Sequence, residues 1–407
     1  MARHYSTREL FRQMPNKLLE RFFHSNSLFT NFDFNNMKET KPDDLFDAWL
    51  SLPENKRNSL DAVLQEIHDL SCEKGSIAIA DEAHWQMRND AEKLTQFIEA
   101  FSILPNHHHR AMVVFLDYPE FWKGATLFYY TDTLTTYWRK RKNMGHRPAA
   151  VDTGSINQLA SLIRHYFHFS EGRGNNCTVE VFRRGDLDYY FAYPEDFSQQ
   201  AVEWVNGEFA RRPHNPAFEI IFIYSQKNGT LDIHFDGSMK PIEALQNIFA
   251  KAILKLDALP PNSDDKRVYD LNPLRNRDFG FVYKIGSGIN DVAVKKIRFS
   301  SRINPGDRIT LEADPSENKY ALHDQIQLIS RSVPLHLYNV TQVELVATMT
   351  IAPDKPLKKA SIRLTYPNSC SLKYDNNGLK LRDMLEASGI EPQEPAPEAK
   401  DQELVSA

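Results

Sequence analysis

The hydrophobic period of this chain changes once, and that change restricts its fold more than any other feature. Up to the stretch Gly172-Arg173-Gly174-Asn175-Asn176, apolar residues recur at helical spacing; beyond it they recur every second residue. A period near 3.6 buries one stripe of a helix and a period of two buries one face of a strand, and neither pattern settles as the other. The expected class is therefore α+β: an N-terminal all-α domain followed by two mostly antiparallel sheets, each with a covering helix. At 407 residues the chain has room for two or three folding units and a core that needs no staple.

In the first half, Ser6 and Glu9 are placed as a capping box, and Leu18, Leu19, Phe22 and Phe23 continue after Pro15. Pro42 opens a helix carrying Leu45, Phe46 and Trp49; Pro53 opens another carrying Leu60, Leu64, Ile67 and Leu70. Further helices are expected at 107–117, 119–131, 133–142 and 155–169, with Asn106 as an N-cap. In the second half, Thr178 to Arg183 and Leu187 to Tyr193 flank a glycine turn, and Asn228-Gly229 marks a second hairpin. Ala217 to Tyr224 reads as a strand buried on both faces, whereas Leu231, Ile233 and Phe235 alternate with polar residues and read as covered on one side. A helix is expected from Pro241, then strands at 292–300, 308–313, 340–351 and 359–366, with a helix at 317–330 and a last one at 378–388. The expected boundaries are 1–170, 171–260 and 261–389, with a disordered acidic tail over 390–407.

Charge and cysteine exclude several classes. The formal net charge is −5, and Glu391, Glu394, Glu398, Asp401 and Glu403 against Lys400 account for four of those negative charges, leaving the body nearly neutral. A diffuse attraction to polyanions is therefore absent, and any such contact needs a local patch. Cys72, Cys177 and Cys370 are an odd, scattered set with no C-x-x-C, which argues against a disulfide framework or a thiolate zinc site. With no long apolar run, no membrane partner is expected, and a cytoplasmic location follows.

Several motifs suggest chemistry and fall short of it. Asp81-Glu82-Ala83-His84 spells the helicase acidic box, but no G-x-x-x-x-G-K-[ST] accompanies it and the segment reads as helix. His107-His108-His109 cannot converge on one ion from a helix, because neighbours point about 100° apart. No metal ligands and no cofactor are assigned. Glu180, Asp186, Asp188, Glu195 and Asp196 cluster around the 177–196 hairpin, where a metal-dependent hydrolase or nuclease would assemble its oxygen ligands. No [D/E]-x-K strand motif and no G-x-S-x-G elbow support catalysis.

The positive signal is Tyr137-Trp138-Arg139-Lys140-Arg141-Lys142, with Arg147 just beyond: bases led by two aromatics, expected at a helix end, suited to phosphates and a stacked base. Arg183, Arg184, Arg211 and Arg212 add basic pairs that would extend the patch if they converge. The function expected is thus binding or regulation rather than catalysis, with nucleic acid or a protein complex acting on it as partner. The alternatives are the metal-dependent hydrolase and a protein–protein adaptor.

Overall fold

The structure, a computed structural model, describes residues 4–134, 137–205, 207–259, 267–350 and 356–392. The expected boundary at 260/261, the last residue of the strand expected at 340–351 and the tail beyond residue 392 lie outside them. The fold is α+β, with a helical N-terminal region followed by sheet structure. By contacts the chain divides into two units: residues 1–134 with Val181–Tyr189, and residues 135–180 with Tyr190 onward.

The first unit holds α1 (Thr7–Gln13), α2 (Asn16–Ser25), α3 (Asp43–Leu50), α4 (Glu54–Leu70), α5 (Glu73–Gln86), α6 (Ala91–Ile103), α7 (His107–Asp117) and α8 (Pro119–Thr133). Side chains close several of their starts: Asp90 accepts from the Lys93 amide and Asn106 from the His109 amide. Ser6 occupies the N-cap of α1, but its hydroxyl makes no capping bond, so the expected box does not close. The apolar stripes meet in one core of Phe11, Phe22, Phe23, Trp49, Leu64, Ile67, Phe97 and Phe121. Its rings pack edge to face, Phe11 on Phe23 at 5.7 Å and Phe97 on Phe121 at 5.4 Å.

The second unit opens on a correction. The basic run expected at a helix end is extended: Trp138–Arg141 is a strand, β1, followed by α9 (Thr153–Glu171). In β-geometry alternate side chains face opposite ways, so Trp138 and Lys140 share one face and Arg139 and Arg141 the other. A four-residue run of long polar chains has no helical stripe to bury, and pairing on both sides decides its conformation. The strands that follow are β2 (Cys177–Arg184) and β3 (Leu187–Pro194), of which residues 181–189 belong to the first unit, then β4 (Gln199–Val205), β5 (Glu208–His214), β6 (Ile220–Ser225), β7 (Thr230–Phe235), β8 (Ile289–Ser301), β9 (Arg308–Glu312), β10 (Tyr338–Met349), β11 (Lys358–Thr365) and β12 (Ser369–Cys370). Ten of these form one sheet in the order β2-β3-β6-β7-β1-β12-β11-β10-β8-β9, and β4 and β5 form a separate pair. The strands on either side of residue 261 therefore belong to one sheet. β1 is its keystone, antiparallel to β7 through Lys140↔Asp232 and to β12 through Trp138↔Cys370.

Helix α10 (Pro241–Ala252) covers the β6–β7 end of one face, where Phe249 packs on Tyr190 and Phe222 at 5.2 and 5.3 Å. Along β10, Val343, Leu345, Ala347 and Met349 point into a second core shared with β8, β11, α11 (Ala321–Ile329) and α12 (Asn376–Ala387). Strand β6 is buried throughout, as its continuous apolar run requires. Strand β7 departs from expectation: Asp232 and His234, placed toward solvent by alternation, are buried as well. The reason is a charged partner set on that face, described below.

One buried acid in the first unit sets a pH dependence. Glu82 on α5 is fully buried against Gly124 of α8, where an added Cβ would lie 2.3 Å from the carboxyl. Burial pushes its pKa up to about 7, opposed by the Gln86 side-chain amide, which donates to Oε1 at 2.6 Å. The folded state thus keeps a proton that the unfolded chain loses near pH 4.5, so the contribution of Glu82 to stability is full below that pH and is lost by about pH 7. In urea unfolding, the stability lost between pH 4 and pH 8 is expected to be ~3 kcal/mol greater in the wild type than in Glu82→Gln. Gly124→Ala is expected to lower stability by ~1–3 kcal/mol through overpacking, read from the same unfolding curves.

Candidate functional site

The residues singled out from sequence fall into three groups once their surroundings are known. Trp138, Lys140, Arg141 and Arg184 are buried; Arg139, Lys142 and Arg183 are half-buried; Tyr137, Arg147, Arg211 and Arg212 are exposed. The first group has been drawn into the fold. Trp138 stacks edge-on against Tyr374 at 5.2 Å and His234 at 5.9 Å. Arg141 donates to Gln246 of α10 at 3.2 Å, and burial lowers its pKa.

Lys140 lies at the centre of a buried cluster of charges. Its Nζ is 2.6 Å from Glu391 Oε1 and 3.8 Å from Asp232 Oδ2. Asp232 also accepts from the Tyr374 hydroxyl and faces Arg382 Nη1 at 3.9 Å, while Arg382 Nη2 donates to the Leu372 carbonyl and its guanidinium lies over the Tyr374 ring. Burial alone would push the Lys140 ammonium down; Glu391 and Asp232 outweigh it, so its pKa stands above the ordinary lysine value. Two cations and two anions balance, drawn from β1, β7, α12 and the chain just past α12. Glu391, the first acid of the expected tail, is 3% exposed and belongs to this core. Lys142 follows it outward, donating to the Pro392 carbonyl.

In the first unit Arg184 does the same work. Its guanidinium donates to Asp81 Oδ2 at 2.7 Å and to both oxygens of Asp132 at 2.9 and 3.0 Å. Burial opposes its charge, and Tyr189, Asp132 and Asp81 outweigh that effect. The helicase-like tetrapeptide thus contributes Asp81 to an arginine clamp and Glu82 to the α5–α8 contact. Arg183, beside it, lies over the Trp85 ring and 3.6 Å from Asp188.

The pair β4–β5 is the reverse of ordinary packing. Its register, Val202↔Arg211 and Trp204↔Phe209, puts Gln200, Val202, Trp204, Phe209, Arg211 and Pro213 on one face, and every one of them is exposed. The opposite face carries Ala201, Glu203, Val205 and Ala210, all half-covered, and Arg212 bound to Glu203 at 2.6 Å. The large apolar side chains are therefore the ones in water: Val202 at 61%, Trp204 at 69% and Phe209 at 55%, with the two rings in edge contact at 5.7 Å. A two-stranded ribbon is marginal by itself, and an exposed aromatic face on one marks a contact surface. Sequence reading assigns no strand to 197–216, although it names Arg211 and Arg212 there. The signal was the Asn206-Gly207 dipeptide, whose Gly207 takes φ +80° between the paired Val205 and Glu208.

Three of the five carboxylates around the 177–196 hairpin are taken up by separate partners. Asp188 is buried beside Arg183, Glu195 accepts from Asn176 and Asn215, and Asp196 accepts from Arg173. Among the described residues no group of three or more His, Cys, Asp or Glu is arranged to hold a metal ion. Burial pushes the Cys177 thiol up to about 12 and raises that of Cys370, so neither is a thiolate near neutral pH. Ser76 and His107 share a hydrogen bond at 2.8 Å, but the serine is buried in α5 and the bond joins α5 to α7. No helix among the described residues is long and apolar enough to cross a membrane.

The sequence matches no protein-family model and no curated protein. The site is thus read from its own chemistry. Glu391→Ala, which leaves the buried Lys140 short of a partner, is expected to cost ~3–5 kcal/mol in urea unfolding, whereas Lys140→Met with Glu391→Leu is expected to stay within ~1.5 kcal/mol of wild type.

Proposed function

We propose that this chain works by binding, as a protein–protein adaptor whose contact element is the exposed face of β4–β5. The observation that carries this reading is the inverted burial of that ribbon, with Trp204, Phe209 and Val202 in solvent around Arg211. Among the described residues Arg211 makes no ion pair, and no carboxylate shares its face. Tryptophan and arginine dominate the energetics of protein interfaces, and a face of this composition suits a partner with an apolar pocket beside an acidic group. A polyanion is the less favoured partner. Counterion release needs several cations together, and Lys140, Arg141 and Arg184 are buried against protein acceptors.

Capture from cells expressing the tagged full chain, with and without nuclease, tests this. The expected result is a partner protein that survives nuclease treatment and falls about tenfold or more with Trp204→Ser/Phe209→Ser, at unchanged thermal stability. Equal recovery by the double variant contradicts the arm. Recovery that nuclease abolishes replaces the adaptor reading with the nucleic-acid one.

A further inference from the structure

A polar cleft lies elsewhere in the same unit, with none of the β4–β5 residues in its lining. The chain around residues 267–272, the end of β8, the start of β10 and Tyr366 beyond β11 enclose an open cleft of about 700 Å³, a size typical of small-molecule sites. Arginines dominate its charge. Arg267 and Arg302 line it, Arg298 donates to Thr341 at 3.3 Å on its wall, and Arg275 is close enough for Arg302 to weigh on its protonation. Arg267 is 3.5 Å from Asp270, whereas Arg302 is exposed and makes no side-chain hydrogen bond or ion pair among the described residues.

The polar groups between these cations are held in place. Asn272 Oδ1 accepts from the Val340 amide at 3.0 Å and from Arg275, and the Ser300 and Thr341 hydroxyls are 2.9 Å apart. Arg302 has no carboxylate partner among the described residues, and an exposed arginine of this kind at the wall of a cleft is stabilised when an anion enters. Tyr366, 45% exposed, adds a planar surface at the rim. We propose that this cleft binds a mononucleotide-class ligand, its phosphate on Arg302 and Arg267 and its planar ring on Tyr366.

Calorimetric titration of the full chain with AMP, ATP and GTP, and in parallel with adenosine and inorganic phosphate, tests the assignment. At least one nucleotide is expected to bind at or below about 1 mM, with adenosine and phosphate each about tenfold weaker or more. Arg302→Ala is expected to weaken that nucleotide about tenfold, and Tyr366→Leu severalfold, while the arm variant Trp204→Ser leaves it unchanged. Absence of heat with every nucleotide overturns the proposal, as does an Arg302→Ala titration equal to wild type. Phosphate binding as tightly as the nucleotide removes the ring contact and contradicts the nucleotide class. None of these outcomes bears on capture through the arm, so the two readings fail separately.

Discussion

The buried ion pair between Lys140 and Glu391 is the contact on which the arrangement of the second unit depends. It joins a four-residue strand in the middle of the chain to the segment just past the last helix, 251 positions later in sequence. β1 has too few residues to hold its place by ladder bonds alone, yet it separates β7 from β12 and so unites what sequence reading treats as two β blocks. Charge on charge in a dry interior fixes that placement. Asp232 and Arg382 complete the balance, and removing any one of the four leaves a buried charge without its opposite.

This arrangement reassigns the most conspicuous feature of the sequence. A run of aromatic and basic residues invites a reading as a surface that grips phosphates. In the structure its alternate members point into two different interiors, Trp138 and Lys140 toward Tyr374 and Glu391 on either side of α12 and Arg141 toward α10. Arg184 repeats the theme in the first unit, between Asp81 and Asp132. The cations that remain outside are those beyond the strand, such as Arg147, and those on the β4–β5 ribbon. That ribbon exposes what a fold ordinarily hides, and the interior charges hide what a surface ordinarily exposes. Both inversions have the same meaning: burial pattern, not residue type, separates structural from recognition chemistry.

Much of the fold was legible where periodicity was long. Stripes such as Leu60, Leu64, Ile67 and Leu70 specify a helix and its buried face, and the alternation Val343, Leu345, Ala347, Met349 specifies a strand and its inner side. Asn228-Gly229 likewise marks the β6–β7 turn, where Gly229 takes φ +58°. What escaped was nonlocal. Nothing near Asp232 or His234 announces that their face would be covered, because the residues that cover it lie at 140, 374, 382 and 391. Residues 138–141 are too few to display any period. The β4–β5 ribbon escaped because its apolar residues are turned outward, although the sequence Asn206-Gly207 between them was in plain view.

The central claim, that the basic run serves the interior and not a surface, is open to direct measurement by competitive acylation of the native protein with peptide mass spectrometry. Lys284, whose side chain is 82% exposed, supplies the reference rate in the same unit, and Lys140, at 5%, supplies the test. The account predicts that Lys140 stays unmodified under native conditions until the protein unfolds, while Lys284 reacts freely. Native-state acylation of Lys140 at a rate comparable to Lys284 would contradict it.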